Sequence, residues 1–293
     1  MKAKCPRLLL VTARDSIAPA LNTLFWITLS TFLSGVLSVL AAGVFLALPS
    51  RQREGALPHL VSFATGALLG AALLALIPHA VLGAGSERVH QVGIALIAGI
   101  ALFFVLEKFL LWRHCHDDHC DEHTIGEQHH SQGHGHEHAH EQARRKASGS
   151  LVLVGDALHN LLDGVLIAAA FLTDVHLGFV TALAIMAHEI PQEVGNFAVL
   201  LHSGVSRRRA LALNLLTSLT AVIGGVVGYF ALETAVRALP FALAVAAASL
   251  LYVAVADLIP GLHRRTDARS GVTQVVLIGL GIAIIAFAER HAH

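Results

Sequence analysis

Long apolar runs separated by short polar ones recur along the whole chain. A helix needs about 20 apolar residues to cross the hydrocarbon core of a bilayer. Eight stretches qualify as predicted helices 1 to 8: 22–48, 58–80, 92–112, 151–172, 178–202, 210–232, 240–261 and 272–289. Two of them break the pattern. Predicted helix 4, LVLVGDALHNLLDGVLIAAAF, contains Asp156, His159, Asn160 and Asp163. Predicted helix 5 contains AIMAHEIPQEVGNFAVLL, with His188, Glu189, Gln192, Glu193 and Asn196 around Pro191.

Composition agrees with the pattern. Of 293 residues, 55% are hydrophobic and 14% charged, and the mean hydropathy is +0.67. That is too apolar for a soluble domain, and the fold class is an all-α polytopic membrane protein. The lipid bilayer is therefore the first partner. A net charge of zero gives no reason to expect nucleic acid. Three cysteines suggest no disulfide framework. The apolar run Leu8 to Val11 is too short for a signal peptide, so no cleavage is expected.

The chain divides into an N-terminal tail with helices 1–3 (1–112), a polar segment (113–149) and helices 4–8 (150–293). The polar segment holds ten of the 20 histidines and almost no apolar residue, so it predicts a disordered loop. Within it Cys115, His116, His119 and Cys120 offer thiols and imidazoles suited to Zn²⁺. Loops 1–2, 3–4, 5–6 and 7–8 carry 12 Lys and Arg; the other side carries 3, or 7 with the N-terminal tail. By the positive-inside rule both termini lie outside the cytoplasm and the His-rich loop inside it. The expected location is a plasma or bacterial inner membrane.

Helix 2 ends in ALIPHA (75–80) and helix 7 in DLIPGL (257–262). With eight spans these helices run in opposite directions. That fits an inverted repeat of three helices, a central pair and three helices, as in many transporters.

Chemistry concentrates on the central pair. Asp156, His159, Asn160 and Asp163 follow i, i+3, i+4, i+7 and share one helix face. His188 and Gln192 are four apart, as are Glu189 and Glu193. A carboxylate at the bilayer centre costs about 2.5–3.5 kcal/mol, so four unpaired ones would cost roughly 10 kcal/mol. Cations or water must offset that. Neutral imidazole with carboxylate suits Zn²⁺, Fe²⁺ and similar divalent metals. His159, Asp163, His188 and Gln192 can make one site, and Asn160, Glu189 and Glu193 a second beside it. Two adjacent ions would then be carried as cargo, with no resident cofactor. Pro191 frees the carbonyl of Ala187 and predicts a kink. Gly164 and Gly195 predict close helix approach. Asp156, Asn196, His79 and Asp257 are candidates for the metal path.

At these residues the sequence resembles the ZIP family of divalent-metal transporters. GDALHNLLDG (155–164) and HEIPQEVGNFAVLL (188–201) are similar to its two signature helices, nearest to the pattern HNxxDG with HEIPHEVGDFAILL. LVSFATGALLGAALLALIPHA (60–80), FFVLEK (103–108) and LYVAVADLIP (251–260) resemble its second, third and seventh helices. The resemblance implies eight helices in a 3+2+3 bundle. It implies import of Zn²⁺ by elevator-type motion of helices 1, 4, 5 and 6 against 2, 3, 7 and 8; Gln192, a weaker neutral oxygen ligand, widens the expected metals to Cd²⁺, Fe²⁺ and Mn²⁺. It assigns His159, Asp163, His188 and Gln192 to the primary site and Asn160, Glu189 and Glu193 to the adjacent one. Gln192 departs from the pattern's histidine, and Asn196 from its aspartate.

Rival readings rest on fewer residues. HEIPQ lacks the second histidine of HExxH, which an intramembrane metalloprotease needs to hold zinc. No enzyme activity is therefore expected. A metal sensor would rest on the His-rich loop alone. Metal ligands must be deprotonated, so flux should depend on pH. The small-residue run GALLGAALLA (66–75) suggests a homodimer face.

Overall fold

The computed structural model describes residues 22–108, 149–263 and 270–290 in full, Leu151 excepted, and the helical backbone of 13–21, 109–116, 134–148, 151 and 268–269. Eight long helices follow one another: α1 (Ala13–Ala47), α2 (Ser50–Ala84), α3 (Val89–His116), α4 (His134–Thr173), α5 (Val175–His202), α6 (Arg207–Glu233), α7 (Val236–His263) and α8 (Ala268–Arg290). No strand occurs among the described residues. All but α5 contain a segment long and apolar enough to cross a membrane. The exception, 28 residues long, carries most of the polar groups and packs in the centre of the bundle.

The predicted spans match these helices to within a few residues, except at the starts of α1, α2 and α4. The α4 helix begins at His134, so 134–149 is helical where the sequence predicts disorder. The stretch EHAHEQARRKA has strong helix formers and no glycine or proline. Extending an existing helix also avoids the cost of nucleation. Residues 117–133 lie outside the described residues.

Local chemistry sets the breaks. Asp174 is extended (φ −157°, ψ 138°) between α4 and α5, and its Oδ1 accepts the Leu177 N–H at 3.0 Å, capping α5. The α5 helix then continues without interruption through Pro191.

The helices pair by close backbone contact. The most extensive pairings are α4 with α6, α2 with α8, α3 with α7, α2 with α7, α4 with α5 and α1 with α5. Glycines permit the first three. A Cβ on Gly164 would lie 2.0 Å from the Ala221 carbonyl oxygen, and one on Gly224 would lie 1.9 Å from that of Leu161. Between α2 and α8, a Cβ on Gly66 would lie 2.1 Å from the Ile278 carbonyl oxygen. Gly99 meets the Ala248 side chain in the same way between α3 and α7. Gly164 thus acts as the sequence predicts. Gly195 does not: a Cβ there would meet nothing within 4 Å. Nor do the small residues of 66–75 form an outer face. Gly66, Ala67, Gly70, Ala71, Ala72 and Ala75 are buried inside the protomer.

The Leu-Ile-Pro repeat has a structural counterpart. In both α2 and α7 a six-residue π-helical segment, Ala71–Leu76 and Val253–Leu258, precedes the Ile-Pro pair. Each closes with the same bond: Ile77 N–H donates to Ala72 C=O, and Ile259 N–H to Ala254 C=O. Pro78 and Pro260 have no N–H to give the carbonyl four residues back. The helix widens by one residue there, as π-bulges do. The pairings repeat as well: exchanging 1 with 6, 2 with 7, 3 with 8 and 4 with 5 maps α2–α8 onto α7–α3 and α4–α6 onto α5–α1. That is the inverted 3+2+3 arrangement.

Candidate metal centre

Three predicted ligands meet. His159 and Asp163 stand one turn apart on α4, and His188 faces them from α5. The two imidazole Nε2 atoms are 3.2 Å apart, and Asp163 Oδ2 is 3.4 Å from each. His188 and Asp163 are buried, while the His159 side chain keeps 22% exposure. A tetrahedral zinc with bonds of 2.0–2.1 Å separates its ligand atoms by about 3.3 Å. The triangle already has those edges. His188 Nδ1 donates to the Ala184 carbonyl at 3.4 Å, which turns the Nε2 lone pair to the triangle, the usual arrangement behind a metal-binding imidazole. Asp163 Oδ2 accepts no hydrogen bond.

The remaining polar groups surround this triangle. Glu189 Oε2 accepts from Ser38 (2.9 Å) and Ser34 (3.3 Å) of α1, and Glu193 Oε1 from Ser218 (2.8 Å) of α6. Their other oxygens, Glu189 Oε1 and Glu193 Oε2, are buried without a hydrogen-bond donor, as is Asn160 Oδ1. A bare buried acceptor is costly unless a cation or water meets it. The predicted second set is thus rich in free acceptor oxygens. Among the described residues, though, only His159, Asp163 and His188 gather three ligand atoms of His, Cys, Asp or Glu within 4.8 Å.

Asp156 differs from its neighbours. Its Oδ1 accepts from Gln192 Nε2 (3.3 Å) and Asn196 Nδ2 (2.7 Å), and its Oδ2 from Thr217 Oγ1. Both oxygens are therefore occupied, and Asn196 is spent on the same knot.

A cavity of about 400 Å³ leads away from the triangle. His159, His188, Gln192, Glu107, Tyr252 and Asp257 are among its lining residues. A second cavity of about 410 Å³ shares Leu57, Val61, Asp257 and Leu258 with it and reaches Glu54 and Gln274. Together they run to the end of the bundle where α2 begins and α7 ends. Asp257 sits at their junction. Glu107 accepts a hydrogen bond from the Tyr252 hydroxyl and faces the same space. His79 lines neither cavity; its Nδ1 donates to the Ala75 carbonyl, and Glu289 lies 3.7 Å away. The side chains of Cys115, His116, His119 and Cys120 lie outside the described residues.

The model of the ZIP Zinc transporter family matches residues 21–289. The chain belongs to the ZIP zinc transporter family. Zinc transporter ZIP13 of Homo sapiens is 32% identical, over 86% of this chain and 76% of its own length. Zinc transporter zipt-7.1 of Caenorhabditis briggsae is 33% identical over 75% of this chain and 66% of its own. Zinc transporter ZIP4 of Mus musculus is 33% identical over 71% of this chain, which spans only 39% of that protein.

Within this ZIP chain, sequence reasoning missed the residues from α1 and α6. Ser34 and Ser38, four apart on α1, and Thr217 and Ser218 on α6 hold the carboxylates of α4 and α5. The signal was present in the spacing of Ser34 and Ser38. Single hydroxyls in apolar helices, however, more often bond their own backbone, as Thr31 does to Ile27 C=O.

Proposed function

We propose that this ZIP protein imports Zn²⁺, with Cd²⁺, Fe²⁺ and Mn²⁺ as further substrates, into the cytoplasm through the α4/α5 site. One observation carries the reading. Two imidazole nitrogens and a carboxylate oxygen stand at zinc-ligand spacing beside a cavity that runs to one end of the bundle. Gln192, on the cavity wall one turn from His188, supplies a neutral oxygen as fourth ligand. Asn160, Glu189 and Glu193 receive a second ion. Mixed nitrogen, carboxylate and amide ligands hold an ion loosely enough to release it, unlike an all-thiolate site.

The eight helices all span the bilayer, with both termini outside and the open cavities facing the cytoplasm. On the opposite side of the site the fully buried Leu68, Leu76, Ile167, Ile185, Leu243 and Leu250 leave no passage for an ion. The pairings support two rigid groups: α4–α6 with α1–α5, and α2–α8 with α3–α7. Sliding the first group past the second would carry the site across that apolar plug. The segment 113–149, with Cys115, His116, His119 and Cys120, collects metal on the cytoplasmic side. Deleting 114–142 should then change how flux depends on internal metal, and unchanged flux would reject that role.

The decisive test is metal flux into proteoliposomes containing a metal-sensitive dye. Wild type is compared with His159→Ala and His188→Ala. Saturable Zn²⁺ entry, lost in both variants, is expected. Wild-type protein that is folded and binds Zn²⁺ but passes none would overturn the reading.

A further inference from the structure

We infer that Asp156 is a positioning residue: it holds the amide of Gln192 so that the carbonyl oxygen is presented to the metal. The inference deepens the proposed function and rests on Gln192 being a ligand there.

The argument begins with what a carboxylate can do. Ionised Asp156 only accepts, so an amide next to it must offer its NH₂. Gln192 Nε2 lies 3.3 Å from Asp156 Oδ1. That leaves Oε1 as the side chain's one acceptor, free to serve the cavity whose wall Gln192 forms together with His159 and His188. Asp156 is not on that wall. It is 4% exposed and lies behind Gln192.

Asp156 is itself well fixed. Asn196 donates to the same oxygen at 2.7 Å from one turn further along α5, and Thr217 of α6 donates to the other. Its own backbone carbonyl accepts from Asn160 Nδ2 at 3.0 Å, so the neighbouring amide is also oriented, with Oδ1 left bare. The anchor thus ties α4, α5 and α6 together behind the site. It explains why two amides, Gln192 and Asn196, occur together. A carboxylate at either position would face a full negative charge without a proton to offer.

The experiment is a rescue. Zn²⁺ binding to the purified full-length protein in detergent is titrated alongside Zn²⁺ flux in proteoliposomes. Gln192→Glu has no proton for Asp156 and should weaken Zn²⁺ binding about tenfold, as loss of an outer partner of a ligand does. Adding Asp156→Asn restores a donor–acceptor pair in the reverse sense. The double variant should recover affinity to within about threefold of wild type. Thr217→Val, which leaves the Gln192 contact intact, should lower thermal stability without changing Zn²⁺ affinity. If Asp156→Asn brings no recovery to Gln192→Glu, or if Thr217→Val weakens Zn²⁺ binding as much as Gln192→Glu does, the positioning role is wrong. Binding is read without transport, so a failure of flux alone counts against the transport reading and not against this one.

Discussion

Asp156 and Asp163 lie seven residues apart on one face of one helix, and both are buried. Their surroundings are opposite. Asp156 has three donors from α5 and α6. Asp163 has two imidazole nitrogens at 3.4 Å and an oxygen that accepts no hydrogen bond. In a bilayer both charges are expensive. The first cost is offset by neutral dipoles already in place. The second is offset only when something positive arrives. The difference separates a carboxylate whose oxygens are already met by donors from one with an oxygen open to a cation, and spacing along α4 cannot make that distinction.

The largest effects should come from exchanging these roles. Asp163→Asn keeps the shape but removes the anionic ligand. Zn²⁺ flux should fall more than about 100-fold, beyond the range for loss of an outer partner. Thermal stability should hold or rise, because an uncompensated buried charge is gone. Asp156→Leu should do the reverse to the fold. It leaves the half-buried amides of Gln192 and Asn196 without their acceptor, each worth about 1–3 kcal/mol, while Thr217 keeps the Asn214 carbonyl. A lowered melting temperature in detergent would register the loss. If Asp163→Asn destabilised the protein as strongly as Asp156→Leu does, the contrast would collapse and Asp163 would be structural.

Much of this was legible in the sequence. Hydrophobic runs located all eight helices, and seven of them are long and apolar enough to cross a membrane, while the polar groups of α5 leave it short of that measure. The i, i+4 spacing put His159 with Asp163 and His188 with Gln192 on common faces. Spacing within a helix says nothing about contacts across helices, so it read Gln192 as a metal ligand and Asn196 as part of the metal path and did not tell that both donate to Asp156. It assigned the small-residue run 66–75 to an outer surface because a glycine stripe looks the same whether its partner is a second chain or α8 of the same chain. Gly164 and Gly195 were equivalent in sequence for that reason too, and only the first has a neighbour. The serines of α1 and α6 carried too little signal to choose among their own backbone, lipid and a distant carboxylate.

Glu189 and Glu193 fall between the two aspartates, each with one oxygen held by serine and one bare. Their variants should be intermediate. Glu189→Gln should lower Zn²⁺ flux roughly tenfold, the low end for an altered metal environment. Ser38→Ala should reproduce a fraction of that, since the carboxylate stays while its orientation loosens. Parallel flux titrations on the two variants check this. A Ser38→Ala loss equal to that of Glu189→Gln would mean that the serine is itself a ligand.

The smallest effect should come from Asp257, which touches neither aspartate but stands where the two cavities join. Its charge can only raise the local cation concentration on the way out. Asp257→Asn should therefore lower maximal Zn²⁺ flux by roughly threefold, a modest share of what a charged cleft contributes. Affinity at the α4/α5 site should not change. The origin of the loss can be read from salt. At about 1 M ionic strength the screening length shrinks to about 3 Å, and the deficit should largely disappear. A deficit that survives high salt, or one accompanied by weaker Zn²⁺ binding, would move Asp257 from the exit path into the site, beside Asp163 as a carboxylate that meets the metal directly.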